Sequence, residues 1–375
     1  MIERRAFLRA GVAAGAVAPF LTLRQRLAAL DRWDAVRSAA ATVRLSSNEN
    51  PLGLPETARR AAAGALAEGN RYPSGKRELA AAIAKKHGVK PANVVLGDGS
   101  TEILQMVVQA MGAPMTTVVV ADPTFEHVAA YAEPLALNVV RVPLTPEHTL
   151  DLAAMRKVAN GARAGVIAYI CNPNNPTGTI VPTSEVEAWI RASTEKITFL
   201  VDEAYIDFVD DPTFKTLIPL TTRPNVVVTR TFSKVYGLAG LRVGYGIALE
   251  EMATLLDQFA ADSNVNQVAI AAARACIDDE AYLKRSLDSN RAARKVAMDT
   301  LGELGIEALP SHTNFLMHRI KGNAGDHIAR MAEAGIAVGR PFPPMLDWNR
   351  VSLGTPREME AWAEAMRGLR SRGLV

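Results

Sequence analysis

The sequence predicts an α/β protein: a large domain on a mostly parallel sheet, followed by a smaller α+β domain. Three observations lead there. After about residue 52 and up to about residue 265, short apolar runs of strand length alternate with helical patterns, the order that builds βαβ units. Several of those runs stop at loops carrying Asn, Asp or Lys, the ends where open α/β sheets bind ligands. A long helical stretch from about Asp279 to Leu304 then leads to a second region, which closes with the amphipathic helix Arg357 to Arg370. At 375 residues, 49% hydrophobic and 22% charged, the chain can fill two cores.

The N-terminus stands apart from this pattern. Glu3-Arg4-Arg5-Ala6-Phe7-Leu8-Arg9 precedes Ala10 to Leu23, an uncharged run of small and apolar residues. It reads as a twin-arginine export signal over residues 1–28; an amphipathic or disordered tail is the alternative. The run falls short of the roughly 20 apolar residues of a membrane span. The expectation is a periplasmic or otherwise extracytoplasmic protein that meets the membrane only during export, or a cytoplasmic one if the signal reading fails. An arm over 29–52, a large domain over 53–278 and an interdomain helix with the small domain over 279–375 follow. The segment near Pro55 to Gly69 is expected to pack with the small domain. Net charge is +3, but residues 1–26 hold five arginines against one glutamate, leaving the remainder near −1. That argues against a nucleic-acid surface. The two cysteines, Cys171 and Cys276, form no framework, and no zinc spacing is present, so no metal is expected.

Taken in chain order, the strand ends carry the chemistry. Val94-Val95-Leu96-Gly97-Asp98-Gly99-Ser100-Thr101-Glu102 passes from strand through glycines into a helix, and backbone N–H groups at a helix N-terminus suit a phosphate. Gly99, Ser100 and Thr101 are the candidates. Phe125 follows the run Thr117 to Ala121 and either lies on a flat ring or fills core. Cys171-Asn172-Pro173-Asn174-Asn175-Pro176-Thr177-Gly178 follows Gly165 to Ile170; its prolines and Gly178 hold Asn175 rigidly, although alone this is an ordinary β-to-α loop. Asp202 ends Ile197 to Val201 and begins Asp202-Glu203-Ala204-Tyr205. It can face a ring nitrogen or cap a helix, while Tyr205 can reach a phenolic oxygen and Glu203 reads as structural.

Lys234 is the most informative residue. It lies in Thr231-Phe232-Ser233-Lys234-Val235-Tyr236-Gly237-Leu238-Ala239-Gly240-Leu241-Arg242, after the apolar run Val226 to Val228. An amine there, with two hydroxyls before it and an arginine after it, can bond to an aldehyde beside a phosphate. Alone, it also reads as a solvated loop lysine. With Asp202 and Asn175 at neighbouring strand ends, the cofactor indicated is pyridoxal 5'-phosphate.

Assembled, these motifs resemble the fold-type-I pyridoxal-phosphate aminotransferases, and within them the histidinol-phosphate aminotransferases. The likeness runs from about Leu45 to the C-terminus and includes Leu45-Ser46-Ser47-Asn48-Glu49-Asn50-Pro51-Leu52-Gly53, Arg71-Tyr72-Pro73 and Asn349-Arg350-Val351-Ser352-Leu353-Gly354-Thr355. The resemblance implies a seven-stranded, mostly parallel sheet. It implies that Lys234 forms the internal aldimine, that Asp202 pairs with the pyridinium nitrogen, and that Asn175 and Tyr205 hold the phenolate oxygen. Thr231, Ser233 and Arg242 would join Ser100 and Thr101 around the phosphate. Tyr72 would reach the phosphate of a neighbouring subunit, making a homodimer with shared sites. Arg350, with Asn48 beside it, would grip the substrate α-carboxylate. The implied reaction moves an amino group from histidinol phosphate or an aromatic or bulky amino acid to a 2-oxo acid such as 2-oxoglutarate.

One departure concerns substrate. Relatives carry a phosphate-binding arginine after a Gly-Ile-x-Val strand, whereas Gly335-Ile336-Ala337-Val338-Gly339-Arg340 places Arg340 one position late, before Pro341-Phe342-Pro343-Pro344. Two other readings stay open at the sequence level. A threonine-phosphate-decarboxylase-like enzyme shares the lysine loop and the carboxylate arginine; a non-catalytic pyridoxal-phosphate-binding protein would have little reason to keep the full set.

Overall fold

The computed structural model describes residues 43–375; the expected export segment and most of the arm lie outside that range. In chain order the elements are β1 (Val43–Arg44), α1 (Glu56–Ala65), α2 (Lys76–His87), β2 (Val94–Gly97), α3 (Ser100–Met111), β3 (Thr117–Asp122), α4 (His127–Ala132), β4 (Asn138–Pro143), α5 (Leu152–Gly161) and β5 (Val166–Cys171). There follow α6 (Thr183–Ala192), β6 (Ile197–Asp202), β7 (Val226–Thr231), β8 (Gly244–Ile247), α7 (Glu250–Asp257), α8 (Gln267–Cys276) and α9 (Glu280–Glu303). The last are β9 (Phe315–Arg319), α10 (Ala324–Glu333), β10 (Ile336–Ala337), β11 (Trp348–Ser352) and α11 (Pro356–Ser371).

Seven strands form one sheet in the order β2-β8-β7-β6-β5-β3-β4. All neighbours are parallel except that β8 runs antiparallel to both β2 and β7. The β7–β8 connection carries no crossover helix, so the chain can only return antiparallel. Alternation at period two buries both faces: Val166, Ala168 and Ile170 of β5 enter one core, and Ile167, Tyr169 and Cys171 the other. Helices cover both sides, as a buried parallel sheet requires. The chain moves from β3 out to β4 and returns to β5 on the other side of β3. That reversal opens a crevice at the strand C-termini.

A second core forms around Leu316, Val351, Trp362 and Met366, with Ala293, Ala297 and Leu301 from the C-terminal half of α9. Leu283 and Leu287, nearer the start of that helix, pack on the sheet's core, so α9 ties the two bodies together. Asp279 caps it, its carboxylate accepting from the Tyr282 N–H at 3.0 Å. The final helix α11 opens with a capping box between Thr355 and Glu358.

One expectation is corrected here. α1 packs against α8, not with the smaller core: Ala58 and Ala62 share the sheet's core with Ala269, Ala272 and Ala273. Small side chains on both helices permit this close approach. It is the arm that joins the smaller core, through β1 paired parallel with β10 and through Leu45.

Candidate active site

Lys234 follows β7 in a loop fastened from two sides. Asn50 donates its amide to the Val235 carbonyl at 2.9 Å and to Ser286 Oγ at 3.0 Å. Gly237, at φ +75°, sits so close to the chain just after the arm that a Cβ would lie 2.5 Å from the Gly53 carbonyl oxygen, which makes glycine obligatory there. The half-buried Lys234 amine lies 3.4 Å from the Asn48 carbonyl and 5.4 Å from the Tyr205 ring centre. Burial lowers its pKa to about 8, helped by the positive charges of Arg350 and Arg242. A substantial neutral fraction therefore exists near physiological pH.

Asp202, at the end of β6, is only 3% exposed. Its Oδ2 accepts from the Tyr169 hydroxyl at 2.9 Å and its Oδ1 from the Ala204 N–H at 3.1 Å. Burial raises its pKa, because the carboxylate forms no ion pair among the described residues. A cationic ring N–H would reverse that penalty. Glu203 points elsewhere and is structural: it pairs with Arg230 at 2.8 Å and accepts from Thr216 and the Leu217 N–H.

A nest for an anion lies at the start of α3. Gly99 has φ +73°, and a Cβ on it would fall 2.1 Å from Arg242 Nη2; a Cβ on Gly244 would fall 2.2 Å from the Ser100 nitrogen. Two glycines thus let the guanidinium and the helix N-terminus converge. Arg242 donates to the carbonyls of Asp98 and Ala239 at 3.2 and 3.1 Å and to Ser233 Oγ at 3.4 Å. None of these acceptors is charged. Thr231 Oγ1 accepts the Ser233 N–H at 3.0 Å, ordering the hydroxyl pair.

Arg350, on β11, is 7% exposed. It donates to Asn175 Oδ1 at 2.7 Å and to the Ser46 carbonyl at 2.9 Å, while its buried Nε has no partner among the described residues. Burial lowers its pKa to about 10. A buried guanidinium with only neutral acceptors suits an incoming carboxylate. Asn48, at φ +55°, knits the arm to this corner: its amide donates to Tyr205 Oη at 3.1 Å, and its Oδ1 accepts from Ser352 Oγ at 2.9 Å.

Three further expected residues lie outside these clusters. Tyr72 is 86% exposed. Phe125 stacks on His127, ring centres 4.4 Å apart. Arg340 forms an ion pair with Glu126 at 2.8 Å, so its charge is already matched.

A family model for aminotransferases of class I and II matches residues 40–366. The chain belongs to the class I and II aminotransferases. Histidinol-phosphate aminotransferase 1 of Cupriavidus pinatubonensis is 38% identical over 334 residues, 87% of this chain and 88% of that protein. Histidinol-phosphate aminotransferase 2 of Ralstonia nicotianae is 37% identical, covering 88% of each. The solved structure of histidinol-phosphate aminotransferase from Sinorhizobium meliloti in complex with pyridoxal-5'-phosphate superposes with a TM-score of 0.83 at 26% identity, covering 90% of this chain and 94% of that one. This aminotransferase is pyridoxal-phosphate-dependent, with the fold-type-I architecture.

The aminotransferase's own residues fit that cofactor. The crevice offers a buried carboxylate in no ion pair among the described residues, an amine of lowered pKa, and an anion nest whose arginine donates only to neutral oxygens among the described residues. Sequence reasoning missed Tyr169, Ser352 and Asn314, the last donating to the Asn48 carbonyl at 3.0 Å. Each is a polar residue within or beside an apolar strand, and only the pairing of elements reveals its role.

Proposed function

We propose that this aminotransferase takes the amino group from a bulky amino donor and passes it to a 2-oxo acid such as 2-oxoglutarate, as an exported homodimer with shared sites. Bound pyridoxal 5'-phosphate supplies an aldehyde that accepts the amino group and a ring that takes up electron density from Cα. Lys234 would hold it covalently and, when free, would move the proton at the donor's Cα. Asp202 would keep a proton on the ring nitrogen. Tyr205 Oη already accepts from Asn48, so its own proton is available for the ring oxygen; Asn175 Oδ1 already accepts from Arg350, so its amide hydrogens are available too. Thr231, Ser233, Arg242 and the backbone of Gly99, Ser100 and Thr101 would hold the phosphate. Phe125 would lie on a ring face.

Arg350 carries the substrate reading. A guanidinium that is buried, bonded to neutral oxygens among the described residues, and close enough to depress the Lys234 pKa is set to fix a donor carboxylate beside the reactive amine. The fixed carboxylate orients the Cα–H bond. The test is single-turnover conversion of the holoenzyme across a panel of amino donors, with carbon dioxide followed in parallel. Amino transfer without gas release supports the proposal, and stoichiometric carbon dioxide moves the enzyme to decarboxylation.

Export rests on Arg4 and Arg5 followed by the uncharged run to Leu23. A twin-arginine route carries folded cargo, which suits an enzyme loaded with cofactor before export. Arg4→Lys/Arg5→Lys should hold the folded, loaded protein in the cytoplasm; an unaltered protein found wholly cytoplasmic with Met1 to Arg26 attached defeats this part.

A further inference from the structure

We infer that Glu126 is a specificity-determining residue, which by matching the charge of Arg340 sets the donor pocket for a single carboxylate and against a phosphate dianion. The inference rests on the aminotransferase reading and deepens it: the preferred donor is an α-amino acid with a bulky uncharged side chain, not a phosphorylated amine.

Two guanidinium groups flank one aromatic ring. Arg340 lies 4.3 Å and Arg350 4.6 Å from the centre of Phe342, in the proline-stiffened loop that follows β10. Their commitments differ. Among the described residues Arg350 donates only to the neutral oxygens of Asn175 and Ser46. Arg340 pairs with Glu126 at 2.8 Å and donates to the Pro341 carbonyl at 2.9 Å. Arg340 and Glu126 act on Arg350 with opposite signs, so within the ion pair Glu126 opposes the field of Arg340 at the carboxylate site. Of the two guanidinium groups, Arg350 alone then carries a charge that no acidic side chain among the described residues matches. A carboxylate needs one; a phosphate dianion calls for two.

An aromatic stack lies beside the pair. The Phe125 ring stacks on His127, whose pKa burial lowers, so His127 adds no cation near neutrality. Side chains of the pair are partly exposed, 29% for Arg340 and 58% for Glu126, and an exposed pair is weak. Glu126 therefore biases the choice of anion and does not block entry.

The decisive probes share a ring and differ in their anion: 3-phenylpropanoate and phenethyl phosphate, titrated calorimetrically into the holoenzyme. The unaltered enzyme should bind the carboxylate more tightly. Glu126→Gln keeps the shape and removes the charge, so it should tighten phenethyl phosphate about tenfold and change 3-phenylpropanoate by no more than about twofold. Glu126→Gln/Arg340→Gln should lose that gain, because the gain comes from the released arginine. The half-reaction should follow, with kcat/KM for histidinol phosphate rising selectively over that for phenylalanine. No selective tightening in Glu126→Gln, or a gain that survives loss of Arg340, overturns the role of Glu126 while leaving the aminotransferase reading intact. A holoenzyme inert to every donor yet showing the binding switch overturns the proposed donor chemistry alone.

Discussion

At the lysine, the surroundings matter as much as the residue. Lys234 is one of many lysines in the sequence, but burial and two arginines bring its pKa from an ordinary 10.5 to about 8. The sign of the linkage follows. Between those two pH values the folded chain binds fewer protons than the unfolded one, so this residue's contribution to stability improves as pH rises through that window. Modification of Lys234 by a small electrophile in cofactor-free protein, read by mass spectrometry, should rise with a midpoint near pH 8. A midpoint near 10.5 would show an ordinary solvated amine. Lys234, Asp202 and Asn175 are legible in the sequence because each ends an apolar run. Tyr169 is not, since a tyrosine inside a buried strand gives no sign that its hydroxyl meets a carboxylate. The Glu126–Arg340 pair is equally hidden, because only the approach of the β10–β11 loop to the β3–α4 loop brings those residues together.

At the scale of elements, the apolar strands β3, β5, β6 and β7 and the helices α9 and α11 are readable from period and caps. Strand β8 is not. Its sequence, Gly244-Tyr245-Gly246-Ile247, carries two residues that ordinarily weaken strands. The reason is contact: Cβ atoms would meet the Ser100 nitrogen at 2.2 Å from Gly244 and Ile103 Cγ2 at 2.8 Å from Gly246. The glycines give up strand propensity so that α3 can press its N-terminus against the sheet. Gly244→Ala should therefore cost about 1–3 kcal/mol of stability through overpacking and weaken cofactor retention as the anion nest shifts. Urea unfolding and cofactor release measure the two effects, and unchanged values in both would remove the glycine argument. The α1 correction has the same root, since alanines spaced along two helices announce close packing without naming the partner.

At the scale of the molecule, the exposed Tyr72 is the open end of the proposal. A large aromatic at 86% exposure, in the loop before α2, is accounted for if two copies exchange tyrosines across an isologous interface. Lys234→Ala and Tyr72→Ala chains, each inactive alone, should regain activity on mixing, because one site of the heterodimer receives both intact residues. Verified subunit exchange without recovery contradicts a shared site. Beneath that question lies the central claim, that one amine anchors the cofactor and performs the proton transfer. The most direct measurement is the visible absorption and single-turnover rate of Lys234→Ala loaded with pyridoxal 5'-phosphate. The account predicts loss of the lysine-dependent absorption band and abolished turnover; a near-normal band and rate would contradict it.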